Sequence, residues 1–500
     1  MDHDSRIKKV VIVGGGTAGW MAAAALGKLF STREGHSITL IESAAIPTVG
    51  VGEATIPPLR DFLKFLGISE KDFMSRSSAS YKLAIRFDDW AEKGEHYWHP
   101  FGGLGPNVVN WPLYQFWLRD RKDGGTRALQ EYSICSQLAQ QDRFQFPANE
   151  PNSPLRNSSY AYHLDAGRFA VLLREYSEYH KVQRIDATVS DVSQHAETGD
   201  IKSVTLDDGR EIEGDFFIDC SGFKGLLIEQ TLKSGYDDWS EYLPNDSAIA
   251  APTKGDGTFH PYTICTARSA GWQWRIPLQH RTGNGYVYSS KFISDDDARE
   301  EFLHSLRDDE LIADPKVLRF KGGKRKEIWK NNCLSLGLSS GFLEPLESTS
   351  IHLIFTGLFQ FLDYFPTKNG CQILRDSFNR NNDRELEEIR DFLILHYCVS
   401  NRRDTEYWKH QSNMKLPDSL VEKIELFKRS GRVLNDKGVL FTLTSWISVL
   451  DGMGVKNDDY DHLIDAVPKE QSDKIINKIH ADIQSVVRMA PRHSDVVLHG

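Results

Sequence analysis

Gly14, Gly16 and Gly19 stand between an apolar run, Lys9–Val13, and a stretch of small and apolar residues over 18–29. No other feature constrains the fold as strongly. A Gly-x-Gly-x-x-Gly turn is needed where a buried strand reverses into a helix while a ligand approaches the backbone. Residues 37–41 read as the next buried strand, ending at Glu42, so this end of the chain is a βαβ unit. The helix start offers unpaired N–H groups to a pyrophosphate. An acid closing the second strand accepts from ribose hydroxyls and disfavours a 2′-phosphate, which selects FAD or NAD over NADP. Gly14, Gly16, Thr17, Ala18, Gly19 and Glu42 are therefore the cofactor-binding candidates.

The fold class that follows is α/β (α+β). Residues 187–204 and 211–218 alternate as a β-meander with Asp207-Asp208-Gly209 as a turn, and 215–222 read as a strand returning to the nucleotide-binding sheet. From about 374 onward, apolar residues recur at three and four spacing over 385–397, 420–430 and 469–488, which predicts helices. Domain boundaries are accordingly placed at 1–375 for the nucleotide-binding module, with 84–160 contributing to a substrate site. Residues 376–490 form the helical substrate-side module, and 491–500 a loose tail.

Composition excludes other classes. With 70 acidic against 60 basic residues the net charge is −10, and no basic stripe is present, so nucleic acid is not a partner. The basic cluster at 321–326 reads as a solvated turn. The 6 cysteines are scattered, with no Cys-x-x-Cys pair and no histidines at ligand spacing. Free thiols in a reducing cytoplasm and no metal site are the expectation. No run reaches the roughly 18 apolar residues of a membrane span, so no membrane association is expected.

Trp272-Gln273-Trp274-Arg275-Ile276-Pro277 alternates by two, which puts both indoles on one face of a strand that Pro277 ends. Two flat side chains there can wall a cofactor tunnel; core packing on a buried strand is the other reading of the same alternation. Together with the glycine turn, this segment resembles the flavin-dependent tryptophan halogenase family. So do Ser80-Tyr81-Lys82-Leu83-Ala84-Ile85-Arg86-Phe87 and Leu343-Glu344-Pro345-Leu346-Glu347-Ser348-Thr349. The resemblance spans about 8–465, and in that family the Trp-x-Trp-x-Ile-Pro segment separates halogenases from flavin monooxygenases.

The resemblance implies a Rossmann-type, flavin-monooxygenase-like module that binds FAD as FADH2. It adds Val51, Gly52, Ala54, Val189 and Leu338 to the cofactor set, with 48–57 as a strap over the flavin and 332–340 leading into the segment that closes the site. O2 and chloride or bromide would give hypohalous acid, guided to a small electron-rich aromatic by Lys82. Glu347 and Ser348 would be catalytic, Thr349 and Ser350 would hold the halide, and His99, Phe101, Trp272 and Trp274 would face the substrate. A second Gly-x-Gly-x-x-Gly in strand–helix context is absent, so a separate NAD(P)H-dependent flavin reductase is implied. A homodimer is compatible with the sequence.

Each role has a competitor. Lys82 taken alone reads as a solvated surface charge, Glu344 could serve the turn that Glu347 occupies, and His99 and Phe101 could simply pack a proline-containing loop. One departure from the family bears on the substrate. Its members clamp the amino-acid backbone of tryptophan with consecutive tyrosines and a glutamate, and the corresponding stretch here, 430–444, has no tyrosine pair. A desolvated zwitterion without partners binds poorly, so an indole-type arene is expected in place of free tryptophan. A flavin-dependent aromatic hydroxylase, a halogenase of free or carrier-bound tryptophan, and a non-catalytic flavin-binding protein remain the rival readings.

Overall fold

The computed structural model describes residues 5–45, 52–255, 257–306, 309–434 and 438–499, which fall into two compact units. One unit comprises the chain up to Ala79 with Leu164–Asp246 and Arg319–Leu386. Its sheet runs Trp329–Lys330, Cys333–Ser335, Phe216–Asp219, Lys9–Val13, Ser37–Glu42, Gln183–Asp186, parallel apart from the Trp329–Lys330 edge. Within Lys9–Val13, residues 10–13 are all β-branched and buried, as a central parallel strand must be. Helix Thr17–Phe30 follows directly, and the buried run Ala22–Ala25 lets it lie close to its neighbours. The expected meander is a three-stranded antiparallel sheet of Val189–Gln194, Ile201–Leu206 and Glu211–Glu213. Phe216–Asp219 pairs parallel with Lys9–Val13, as its sequence suggested.

The other unit comprises Ser80–His163, Ser247–Leu318 and 387–499. Six neighbouring strands of a seven-stranded sheet run Ser247–Lys254, Arg281–Tyr288, Gly271–Pro277, Tyr262–Ala267, Ala84–Asp88, His96–Pro100. Only the Ala84–Asp88 and Tyr262–Ala267 pair within that run is parallel. The helices expected from spacing are present as Gln372–Cys398, Asp418–Ser430 and Lys469–Met489. The two units divide within the first of these, after Leu386. Among the described residues no helix is long and apolar enough to cross a membrane.

Two expectations are overturned. The basic cluster is no solvated turn: Gly323–Arg325 is a buried strand. Lys324 bridges Asp237 and Asp383 at 3.1 and 2.7 Å, and Arg325 pairs with Glu229 at 3.0 Å, so partners distant in sequence neutralise both charges. Residues 491–499 are no loose tail either, since His493–His499 is a helix. His493 is buried and its Nδ1 lies 2.6 Å from the Phe259 carbonyl oxygen, which anchors the segment.

Candidate functional site

The glycine turn is dictated by close approach. Gly14 has φ +113°, donates its N–H to the Ile41 carbonyl at 2.8 Å, and a Cβ on it would meet the Cys220 carbonyl oxygen at 2.1 Å. A Cβ on Gly19 would meet the Gly14 oxygen at 1.9 Å, and one on Gly15 the Glu42 carboxylate at 1.5 Å. Gly16 differs, because a Cβ there would meet nothing within 4 Å among the described residues. Those residues leave the space over Gly16 open, which suits a group lying on the turn. Gly16 also precedes helix Thr17–Phe30 without any side-chain cap, so the first-turn N–H groups near Thr17 and Ala18 suit a pyrophosphate. These residues fit an FAD phosphate bridge.

Glu42 has a partner that the sequence reading missed. Its Oε1 accepts from Arg184 Nε at 2.6 Å, and the signal was a charged residue inside the short strand Gln183–Asp186 beside it. A carboxylate has further acceptor sites, so the bond from Arg184 leaves Glu42 able to accept from other donors. Asp219 is the second missed residue. Buried, it accepts from Ser221 N, Leu227 N and Ile228 N at 2.7–2.9 Å and so builds the turn that presses on Gly14. The turn holding Leu338, Gly337–Ser339, seats against the start of the first helix, where a Cβ on Gly337 would lie 2.8 Å from that of Ala18. Val189 sits in the hydrophobic core with Val13 and Ile41. Gly52 and Ala54 belong to the short strand Gly52–Ala54; Val51 and the rest of 46–51 lie outside the described residues.

The Leu343–Thr349 segment is strained where its candidates stand. Glu347 and Ser348 both take left-handed backbone angles, φ +65° and +60°, which cost non-glycine residues on the order of 1–3 kcal/mol each. Glu347 is buried to 1% exposure. Glu344 is buried too and accepts from Asn245 Nδ2 at 2.5 Å, which ties the segment down from a separate strand-to-turn region. Helix Ser350–Asp363 starts directly after Thr349, and the Thr349 hydroxyl is buried with no hydrogen-bond partner among the described residues. An unmatched hydroxyl at a helix N-terminus is chemically suited to an anion.

Lys82 is no surface charge: it is fully buried in the strand Ser80–Lys82. Its Nζ lies 5.0 Å from the centroid of the Phe101 ring, a cation–π distance, and Phe101 N donates to the Leu83 carbonyl at 2.8 Å. His99 is buried 5.6 Å from the Phe392 ring, which stacks on Phe441 at 3.9 Å and meets Trp446 at 5.2 Å. The sequence reading did not single out these three aromatics: only Phe441 lies within 430–444, and Phe392 and Trp446 stand outside that stretch.

Trp272 and Trp274 lie on one face, ring centroids 6.1 Å apart, and both are buried. Trp274 faces Gly285, where a Cβ would stand 2.0 Å from the indole. Trp272 reaches Trp90 at 6.3 Å, so it also belongs to an aromatic core with Tyr397 and Trp408. Trp90 and Trp408 donate their indole N–H to the Cys265 and Arg268 carbonyls at 2.9 and 2.8 Å. The indole N–H groups of Trp272 and Trp274 have no partner among the described residues.

Known proteins share this fold. The family model for tryptophan halogenase matches residues 9–469. Tryptophan 7-halogenase RebH of Lentzea aerocolonigenes is 38% identical over 448 residues, 86% of this chain and 83% of the relative. BrvH, a flavin-dependent halogenase from Brevundimonas sp. BAL3, superposes with a TM-score of 0.95 at 43% identity, covering 99% of both chains. The tryptophan 6-halogenase SttH of Streptomyces toxytricini gives 0.90 at 33% identity, covering 99% of this chain and 100% of that one. The chain belongs to the tryptophan halogenase family and is a flavin-dependent halogenase that uses FAD.

Proposed function

We propose that this enzyme chlorinates or brominates an indole-type arene, with Lys82 delivering the halogen. The observation that carries the reading is the complete burial of Lys82 beside Phe101, in the unit that also holds His99 and the Trp272–Pro277 strand. Bound as FADH2, the flavin supplies the electrons with which O2 oxidises halide to hypohalous acid. Gly14, Gly16, Thr17, Ala18 and Gly19 hold its phosphates, and Glu42, oriented by Arg184, takes the ribose hydroxyls. Thr349 and Ser350 bind the halide through the helix start and the unmatched Thr349 hydroxyl.

The buried Lys82 side chain either hydrogen-bonds the oxygen of hypohalous acid as an ammonium or, as the amine, takes its halogen to form a haloamine with release of water. Both routes hold the electrophilic halogen on or beside Nζ. The carboxylate of Glu347 stabilises the cationic ring intermediate and accepts its proton, with Ser348 beside it. Trp272 and Trp274 wall off the arene from the oxidising chemistry. A separate NAD(P)H-dependent reductase supplies FADH2, and the reducing cytoplasm suits 6 free cysteines. A homodimer is compatible with this reading.

The choice of an arene without an amino-acid zwitterion rests on residues 430–444. Arg432 there is ion-paired with Asp461, and Phe441 joins the rings around His99, so aromatic surface takes the place of a charged clamp. A missing charged hydrogen bond costs roughly 1.5–3 kcal/mol, enough for about a tenfold preference or more. In a competition assay with equal indole and tryptophan, plus reductase and bromide, haloindole substituted at C3 is the expected main product. Dominant halotryptophan, halogenated at one benzo-ring position, overturns the substrate assignment.

A further inference from the structure

The strand that carries Lys82 is short, Ser80–Lys82, and pairs antiparallel with residues 161–163. Its placement has a second support in buried side chains. Ser80 Oγ lies 3.1 Å from the carbonyl oxygen of Pro277, which ends the Trp272 strand, and 3.3 Å from Nδ1 of His163. His163 Nε2 lies 2.9 Å from Oγ1 of Thr263, in the strand Tyr262–Ala267. Ser80 and His163 are fully buried, and Thr263 almost so.

The direction of these bonds follows from chemistry. A carbonyl only accepts, so the Ser80 hydroxyl donates to Pro277, and Ser80 Oγ is left to accept from Nδ1–H of His163. The other ring nitrogen of a neutral imidazole is an acceptor, which Thr263 O–H satisfies. A single relay, Thr263 to His163 to Ser80 to Pro277, therefore satisfies every group with one proton arrangement. Burial, and after it the nearby Lys82 cation, hold His163 well below the usual histidine range, so the ring has the neutral form that the relay needs.

We propose that His163 is a positioning residue for Lys82, fixing the Lys82 strand through Ser80 against the end of the Trp272 strand. The proposal rests on the reading of Lys82 given above. Ser80 and Lys82 are two residues apart in a strand and share a face, so holding the Ser80 side chain sets the direction in which Lys82 points. Displacing a reacting atom by about 1 Å is worth up to roughly a hundredfold in rate. A strand loosened at one of its supports would lose part of that.

The test compares His163→Leu, His163→Asn, Ser80→Ala and Lys82→Ala with the parent protein. The readouts are haloindole formed per flavin reoxidised, KM for indole, and Tm. His163→Leu and Ser80→Ala are expected to lower the halogenation yield per flavin about tenfold while KM stays within about twofold. His163→Asn places an amide N–H where Nδ1–H stood and is expected to recover to within about threefold of the parent. An unchanged yield in both Ser80→Ala and His163→Leu overturns the proposal. Equal losses in His163→Asn and His163→Leu also overturn it, because a cavity and not the hydrogen bond would then be responsible. Should His163→Leu fail to fold, Ser80→Ala and His163→Asn decide alone: a parent-like yield in Ser80→Ala, or a tenfold loss in His163→Asn, overturns it. Parent-level halogenation by Lys82→Ala would instead overturn the role of Lys82 itself.

Discussion

The glycine turn at 14–19 and the short strand at 80–82 each hold proposed functional groups, and they do so by different means. At the turn the backbone is the instrument. Carbonyl oxygens of Gly14 and Cys220 crowd Gly19 and Gly14 so closely that no Cβ fits, and Asp219 anchors the pressing loop through backbone N–H groups. At the strand, side chains do the holding: the Phe101 ring lies 5.0 Å from Lys82 Nζ, while the bonds of His163 and Ser80 join four strands. Backbone-built sites announce themselves as glycine patterns. Side-chain-built sites need partners whose distance along the chain follows no rule, such as Thr263 for His163.

The contrast breaks most sharply at Lys82. Lys82→Ala is expected to lower haloindole formation by more than about a thousandfold while flavin reoxidation and peroxide release continue, since the lysine is proposed to act after the flavin chemistry. Parent-level halogenation, measured by product mass, would end its role. Glu347→Gln should slow halogenation by about a hundredfold, the usual size of a proton-accepting or electrostatic contribution. If the rate is unchanged, the strained backbone at 347–348 must be credited to something other than this carboxylate.

Gly285→Ala sharpens the comparison, because a glycine matters here for a side chain and not for a ligand. The added methyl collides with the Trp274 indole, so a loss of roughly 1–3 kcal/mol is expected in chemical denaturation. Gly16→Ala should instead leave stability nearly unchanged and weaken FAD binding, as a Cβ there would meet none of the described residues within 4 Å. Equal destabilisation by the two would erase the distinction.

The smallest effect concerns the C-terminal helix. Burial pushes His493 down to about 4, below its unfolded value near 6.5. The unfolded chain therefore binds the extra proton first, so the stabilisation is complete above about pH 6.5 and is lost as pH falls towards 4. His493→Asn retains a donor for the Phe259 carbonyl without titrating, and should flatten the fall of Tm across that window. An unaltered slope would show that other groups set it.

Much of the nucleotide-binding unit was legible because its determinants are local. The strand–turn–helix at 9–30, the acid at 42 and the meander follow from spacing and glycine placement within a few dozen residues. Glu347 and Ser348 were found by resemblance alone, since nothing in their identities announces left-handed backbone. Arg184 stayed hidden because its meaning depends on Glu42 in the adjacent strand, and Lys324 and Arg325 read as solvated until Asp237, Asp383 and Glu229 met them. Phe392, Phe441 and Trp446 were likewise ordinary aromatics until packing gathered them around His99.

By itself, then, the sequence determined the βαβ cofactor module, the alternation that puts both indoles of Trp272 and Trp274 on one face, and the family. Each is a property of short-range periodicity or of a motif. Tertiary structure alone decided that Lys82 is buried and not solvated, that the last residues form an anchored helix, and that His163 stands behind the Lys82 strand. Burial and hydrogen bonding are many-body outcomes of long-range packing, and a lysine or histidine carries no mark in sequence of which neighbours will exclude water from it.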